Sequence, residues 1–212
     1  MKKKGIITTV AALTLTAIVG IGATLAYLSD KTNELTNTFT IGAGIDIKLD
    51  EAKVVNNEPV GTERTETGNS YTDLFPGQEV KKDPTTTVVK CSNPCYVFMK
   101  VTGIDKLEEV QTDSNPAVQA FTVSGFNADN WVRVQGEEGK KDGIYRYKEA
   151  VSDAKALDPL FTSVKYANEG NGSETPAEGG FSNIKVQSAA IQSEGFADGD
   201  AALTEVTGLF TI

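Results

Sequence analysis

Twelve consecutive residues, TFTIGAGIDIKL at positions 38–49, alternate without a break. Phe39, Ile41, Ala43, Ile45, Ile47 and Leu49 are apolar, whereas Thr38, Thr40, Gly42, Gly44, Asp46 and Lys48 are not. A period of two places each set on its own side of an extended chain, so the stretch reads as a strand with one buried face. Gly42 and Gly44 on the other face permit a bend or bulge. Such a strand needs a second apolar layer to cover it, and the rest of the chain has to supply that layer.

Short segments with strand character recur at intervals of about ten residues, separated by turn formers. Residues 50–73 (with NNEPVGTERTETGNS) read as a long polar loop, and Pro76-Gly77 as a turn. Thr85–Lys90 and Cys95–Thr102 read as strands joined by a short hairpin-type connection. Residues 104–120 are the place for a short helix. Further strands are expected at Trp131–Val134, Ile144–Ala150, Leu160–Ala167 and within FSNIKVQSAAIQSEGF, with a short helix in Asp198–Val206. There is no internal repeat. With 20 glycines and many Thr, Val, Ile and Phe in 212 residues, the economical fold is an all-β sandwich with few short helices.

The first residues have the form of an export signal. Lys2, Lys3 and Lys4 precede an uncharged run from Gly5 to Ser29, and Thr24 and Ala26 have the spacing of a small-residue cleavage site. Cleavage after Ala26 makes Tyr27 the mature N-terminus. The same run is long enough to stay in a bilayer as an anchor, and that alternative remains open. Loss of residues 1–26 leaves 17 basic against 29 acidic residues, a net of −12. That charge repels nucleic acid and anionic lipid, so neither is an expected partner.

Cys91 and Cys95, in KCSNPCYVF, read as a small disulfide loop closing a turn in an exported protein. Two thiols with no histidine in the chain do not complete a zinc shell, so no metal is expected. The same lack of histidine excludes Ser-His-Asp, Cys-His and H-E-x-x-H chemistry. No Walker loop or dinucleotide fingerprint is present, and no cofactor is expected. Glu108-Glu109 and Glu137-Glu138 read as surface charges, Asp198-Gly199-Asp200 as a solvated turn, and Trp131, Tyr145 and Tyr147 as core and rim packing. No catalytic residue is assigned.

Taken in order, several stretches resemble a known family. AYLSDKTNELTNTFTIGAGIDIKL is similar to the start of secreted proteins processed by the SipW-type signal peptidase. There a cleavage-site Ala is followed by an aromatic residue, an acidic-polar linker and an N-T-F-T-x-G strand. LFPGQEVKKDPTTTVVKCSNPCYVFMKV, DNWVRV, GIYRYKEA, PLFTSVKY and NIKVQSAAIQSEGF continue the likeness in order over nearly the whole chain. The chain thereby resembles the camelysin and TasA-type group. The resemblance implies a jelly-roll-like β-sandwich, export by a Gram-positive bacterium and assembly into extracellular biofilm matrix fibres. Some members are described as metalloproteases, and a chain without histidine does not fit that activity. The Cys91/Cys95 pair departs from the family pattern.

These readings divide the chain into a signal peptide (1–26), a flexible assembly segment (27–37) and a single sandwich domain (38–212). The resemblance implies that the mature N-terminal segment completes a sheet of the neighbouring subunit. Tyr27, Leu28, Leu35, Phe39 and Ile41 are then the assembly residues. How far the segment crosses is open: either the alternating strand is donated as well, burying Phe39, Ile41, Ile45, Ile47 and Leu49, or Tyr27–Asn37 inserts alone with Tyr27, Leu28 and Leu35 as the contacts between copies. Expected partners are further copies of the chain, the SipW-type signal peptidase and other matrix proteins. The competing expectation is a membrane-anchored, non-polymerising adhesin or ligand-binding sandwich.

Overall fold

The computed structural model describes residues 44–112, 117–168 and 181–211. The alternating stretch enters it as β1 (Ile45–Val55), where Ile45, Ile47 and Leu49 pack against the main core while Asp46 and Lys48 are exposed. Residues 38–43 of the expected strand lie outside the described residues.

β1 runs past Leu49 and turns back as β2 (Glu58–Thr65), so the first part of the expected 50–73 loop is an antiparallel hairpin. Asn56 (φ 51°) and Asn57 (φ 65°) form its two-residue turn. Two successive left-handed residues match the right-handed twist of the strands they join, and asparagine tolerates that conformation well. Farther along, Gln78 N–H closes onto the Phe75 carbonyl at 3.0 Å around Pro76 and Gly77, the turn expected there.

The other strands are β3 (Glu79–Lys81), β4 (Thr85–Cys91), β5 (Cys95–Thr102), β6 (Phe121–Ser124), β7 (Trp131–Gln135), β8 (Gly143–Tyr147), β9 (Lys155–Ala156), β10 (Ser163–Tyr166) and β11 (Lys185–Gln192). They form three antiparallel sheets, with orders β2-β1-β4-β9, β3-β10-β6 and β11-β5-β8-β7. One core takes side chains from all three: Val88 from β4, Val97 and Met99 from β5, Val123 from β6, Tyr145 from β8 and Val164 from β10. The fold is all-β and sandwich-like.

β4 and β5 are not the hairpin neighbours that their spacing predicts. β4 pairs with β1 and β9, β5 pairs with β11 and β8, and Ser92–Pro94 carries the chain from one sheet to the other. Strands on opposite layers can be linked by as short a connection as a hairpin, so loop length does not separate the two cases.

The sheet built on β5 is covered on both faces, which explains the unbroken apolar run CYVFMKV. Val97, Met99 and Val101 face the main core, while Phe98 joins Ile144, Ala189, Ala202 and Val206 in a second cluster. A short C-terminal helix, α2 (Leu203–Thr207), supplies part of that outer cover.

The other helix, α1 (Ile104–Glu108), is far shorter than the expected 104–120. Its N-cap, Gly103, has no side chain, and Asp142 takes the capping role from a distant loop. The Asp142 carboxylate accepts from Gly103 N–H and Ile104 N–H, each at 2.8 Å. Asp105 reciprocates, accepting from Lys141 N–H at 2.7 Å and Asp142 N–H at 3.0 Å. Gly103 sits at φ 91°, and a Cβ there would lie 2.2 Å from the Asn183 carbonyl oxygen. Only glycine fits that position.

Trp131, Tyr145 and Tyr147 are buried, as the core-packing reading expects. Trp131 donates its indole N–H to the Asp158 carbonyl at 2.9 Å and meets the Tyr147 ring edge-on. The Tyr71 and Tyr145 hydroxyls donate to the carbonyls of Lys81 (2.6 Å) and Lys141 (2.7 Å). Burial, reinforced by nearby carboxylates, raises the pKa of both phenols. The fold therefore holds them neutral after the unfolded chain has begun to ionise. Their contribution is complete below about pH 10 and is lost as pH rises through the folded-state values. Stability in denaturant is expected to fall steadily above about pH 10, while the folded phenols still resist ionisation; a flat profile through that range would contradict the assignment.

Candidate functional site

Ala26, Tyr27, Leu28, Leu35, Phe39 and Ile41 lie outside the described residues. The described chain begins where that segment joins the sandwich. Gly44 takes a left-handed turn (φ 82°), and its carbonyl accepts from Ser92 N–H at 3.3 Å, beside the crossover from β4 to β5. Ile45 then pairs with Cys91 to start the β1–β4 ladder.

A sheet can accept an added strand only at an open edge, and most edges here are blunted. β2 carries Glu58, Glu63 and Arg64, and its register to β1 is irregular. β9 has two residues. β7 is short and bulged against β8. β6 is capped by side chains: Val123 N–H donates to Glu108 Oε1 at 2.7 Å, and its carbonyl accepts from Lys141 Nζ at 2.9 Å. Lys141 and Glu108 are themselves paired at 2.6 Å, so one ion pair occupies the edge as a neighbouring strand would. Glu108 is thus buried, not the surface charge that its sequence context predicts. Lys141 and Val123 reach it only through tertiary folding.

β11 has none of these devices. It runs eight residues in unbroken register with β5, from Lys185↔Thr102 to Gln192↔Cys95. Among the described residues its backbone pairs with β5 alone. Its one charged residue is the terminal Lys185. β1 lies alongside, with Cα atoms within 8 Å of those of β11. The Ile45–Asp50 half of β1 pairs with β4 on one side, whereas β2 pairs only from Glu51 onward. Among the described residues, two unpaired edges therefore lie next to each other.

The side chains along this margin are under-covered. Ile45, Ile47 and Leu49 of β1, Val186 and Ala190 of β11, and the preceding Ile184 all pack on the main core yet are only partly buried. Val88 beside β1, and Val97, Met99 and Val101 beside β11, are completely buried. Thr86 and Ser188 join hydroxyls across the two sheets at 2.5 Å. Among the described residues the margin is thus a narrow apolar strip flanked by backbone groups that pair with no strand, the chemistry that receives an extended peptide.

Away from the margin, a shallow depression of about 620 Å³ is lined by Lys100, Asp105, Lys106, Glu109, Lys140 and Asp142 among others. Three of its carboxylates are engaged: Asp105 and Asp142 cap each other's backbone, and Glu109 pairs with Lys140 at 3.2 Å. Asp198 accepts from the N–H groups of Asp200 and Ala201, and Asp200 pairs with Arg146 at 3.0 Å, which makes the Asp-Gly-Asp stretch a closed turn. Among the described residues no group of three or more His, Cys, Asp or Glu could hold a metal ion, and no helix is long and apolar enough to cross a membrane.

Cys91 and Cys95 are free thiols where a disulfide is expected, and they sit on the crossover rather than in a hairpin loop. The sequence pattern locates the leading segment but not the β1–β11 margin. The margin joins Ile45–Leu49 to Ile184–Ala190, and no local signal links residues so far apart. Comparison with protein-family models, with curated proteins and with solved structures gives no match.

Proposed function

We propose that the chain is a secreted structural subunit that polymerises into extracellular biofilm matrix fibres. Cleavage after Ala26 frees the segment Tyr27–Asn37, which adds as a strand to the β1–β11 margin of the next copy. The observation that carries this reading is the margin itself: among the described residues, an eight-residue unblunted edge beside a strip of half-covered core, in a fold where β2, β6, β7 and β9 present blunted edges. The likeness to the camelysin and TasA-type group supports the same reading.

The dimensions agree. Eleven extended residues span roughly 36 Å and β11 roughly 26 Å at about 3.3 Å per residue. The donor therefore has length to cover the edge and still reach its own sandwich. Tyr27, Leu28 and Leu35 bring apolar surface worth roughly 1.5–3 kcal/mol each when fully covered. Backbone hydrogen bonds to β11 add to that, against the loss of translational freedom and the ordering of the segment. A donor at one end and an acceptor elsewhere make a head-to-tail contact, which propagates without closing.

Deleting residues 27–37 from the mature protein is expected to give a folded monomer, with unchanged circular dichroism, that forms no filaments in negative-stain micrographs. Filaments of ordinary length from the truncated protein would refute the mechanism. N-terminal sequencing of the secreted form separates this reading from the anchored adhesin: the fibre subunit begins at or near Tyr27, whereas the anchored protein retains the uncharged run Gly5–Ser29.

A further inference from the structure

The two cysteines lie where the chain changes sheet. Cys91 ends β4 and Cys95 begins β5, with Ser92, Asn93 and Pro94 between them. Both converge on Val151. Cys95 exchanges two backbone hydrogen bonds with it, Cys95 N–H to Val151 O at 2.9 Å and Val151 N–H to Cys95 O at 2.8 Å. Cys91 Sγ donates to that same Val151 carbonyl at 3.7 Å. One oxygen thus accepts from both the Cys91 thiol and the Cys95 backbone N–H, which brings the two residues together. They are not equivalent. Cys91 is partly exposed and Cys95 is completely buried.

We propose that Cys91 and Cys95 form a thiol–disulfide exchange site for small oxidised disulfides, with Cys91 as the entering nucleophile and Cys95 as the resolving thiol. Cys91 loses its proton, and its thiolate attacks one sulfur of the small disulfide. A mixed disulfide forms on Cys91 and one small thiol leaves. Cys95 then loses its proton and attacks the Cys91 sulfur, which forms the Cys91–Cys95 bond and releases the second small thiol. Two protein thiols give up two electrons, and one small disulfide becomes two thiols. Reduction by an excess of small thiol runs the same steps backward.

The order follows from access, since an incoming disulfide must reach a sulfur in line, and only Cys91 offers one at the surface. Burial and the neighbouring Cys91 push the Cys95 thiol up to about 11, in keeping with a group that reacts only within the pair. Closing the bond ties the last residue of β4 in one sheet to the first of β5 in the other. Because Cys91 pairs with Ile45 and Ser92 holds Gly44, the tie lies at the root of the leading segment. This site rests on the convergence of the two cysteines on Val151 and stands whether or not the chain polymerises.

The test uses the mature protein purified with a reductant, freed of it, and treated with oxidised glutathione. Samples are quenched with an alkylating agent and read by intact and peptide mass. Wild type is expected to lose both titratable thiols and keep its monomer mass less two hydrogen atoms. Cys95→Ser is expected to accumulate one glutathione on Cys91. Cys91→Ser is expected to react at least about tenfold more slowly, because its remaining thiol is buried. Wild-type protein that keeps two thiols, or that links between chains through Cys91, would overturn the proposal. So would Cys91→Ser reacting as fast as Cys95→Ser. The wild-type time course needs no variant to fold, so the test stands if either substitution misfolds.

Discussion

If copies assemble as proposed, charging the margin with Val186→Asp and Ala190→Asp together is expected to leave a folded monomer and to raise the concentration needed for filaments by at least about a hundredfold. Both side chains are only partly buried, so in the free subunit each new carboxylate turns toward water at modest cost. Covered by an incoming strand, the same carboxylates lose their water and find no cation, a penalty of several kcal/mol each. A hundredfold change needs only about 2.8 kcal/mol of that penalty. Thr62→Asp on β2 is the matched control, because it adds a charge to an exposed edge position outside the margin. Sedimentation of polymer across a concentration series, with circular dichroism for the fold, reads the outcome. Assembly of the double variant at the wild-type concentration would remove β11 as the acceptor while leaving the deletion result for residues 27–37 to stand on its own.

The second large effect is on stability alone. Asp83→Ala is expected to cost about 3–5 kcal/mol and to lower the melting temperature by roughly 10 °C. Asp83 is buried in the corner between β3 and β4, where its Oδ1 accepts from the Ala52 N–H of β1 at 2.7 Å. Its Oδ2 pairs with Arg64 at 3.3 Å and Lys81 at 3.6 Å. Arg64, on β2, also grips the buried Asp50 of β1 through its Nε. Beside them Glu51 pairs with Lys82 and accepts from Asn69. Truncating Asp83 leaves the Ala52 N–H without its partner, and Arg64 with Asp50 as its remaining ionic contact. Asp83→Asn keeps an acceptor for Ala52 and is expected to lose less than half as much. Equal losses in the two variants, read from urea midpoints, would show that the charge pairs rather than the backbone bond carry the effect.

This network also explains where sequence and structure part. The alternating face of β1 is legible because Ile45, Ile47 and Leu49 obey the ordinary rule of apolar residues inside. The strand continues through Asp50 and Glu51, which are buried only because Arg64, Lys82 and Asn69 meet them. Seen without those partners, two acids in a row mark the start of a loop. β2 has exposed, charged residues on both faces because it is an edge, and that hides its strand character. The separation of β4 from β5, and the burial of Glu108, are decided by contacts between distant elements. At the site, the leading segment shows itself in a few residues of local pattern. Its proposed receptor exists only after the first and last strands have come together.

On the proposed function, that last circumstance sets an order of events during export. β1 emerges early from a translocating chain and β11, ending at Gln192, emerges almost last. A half-delivered molecule has no finished docking slot, however many free neighbours surround it. If the margin is the acceptor proposed above, the architecture builds in a delay, so that only copies that have completed their own folding are extended.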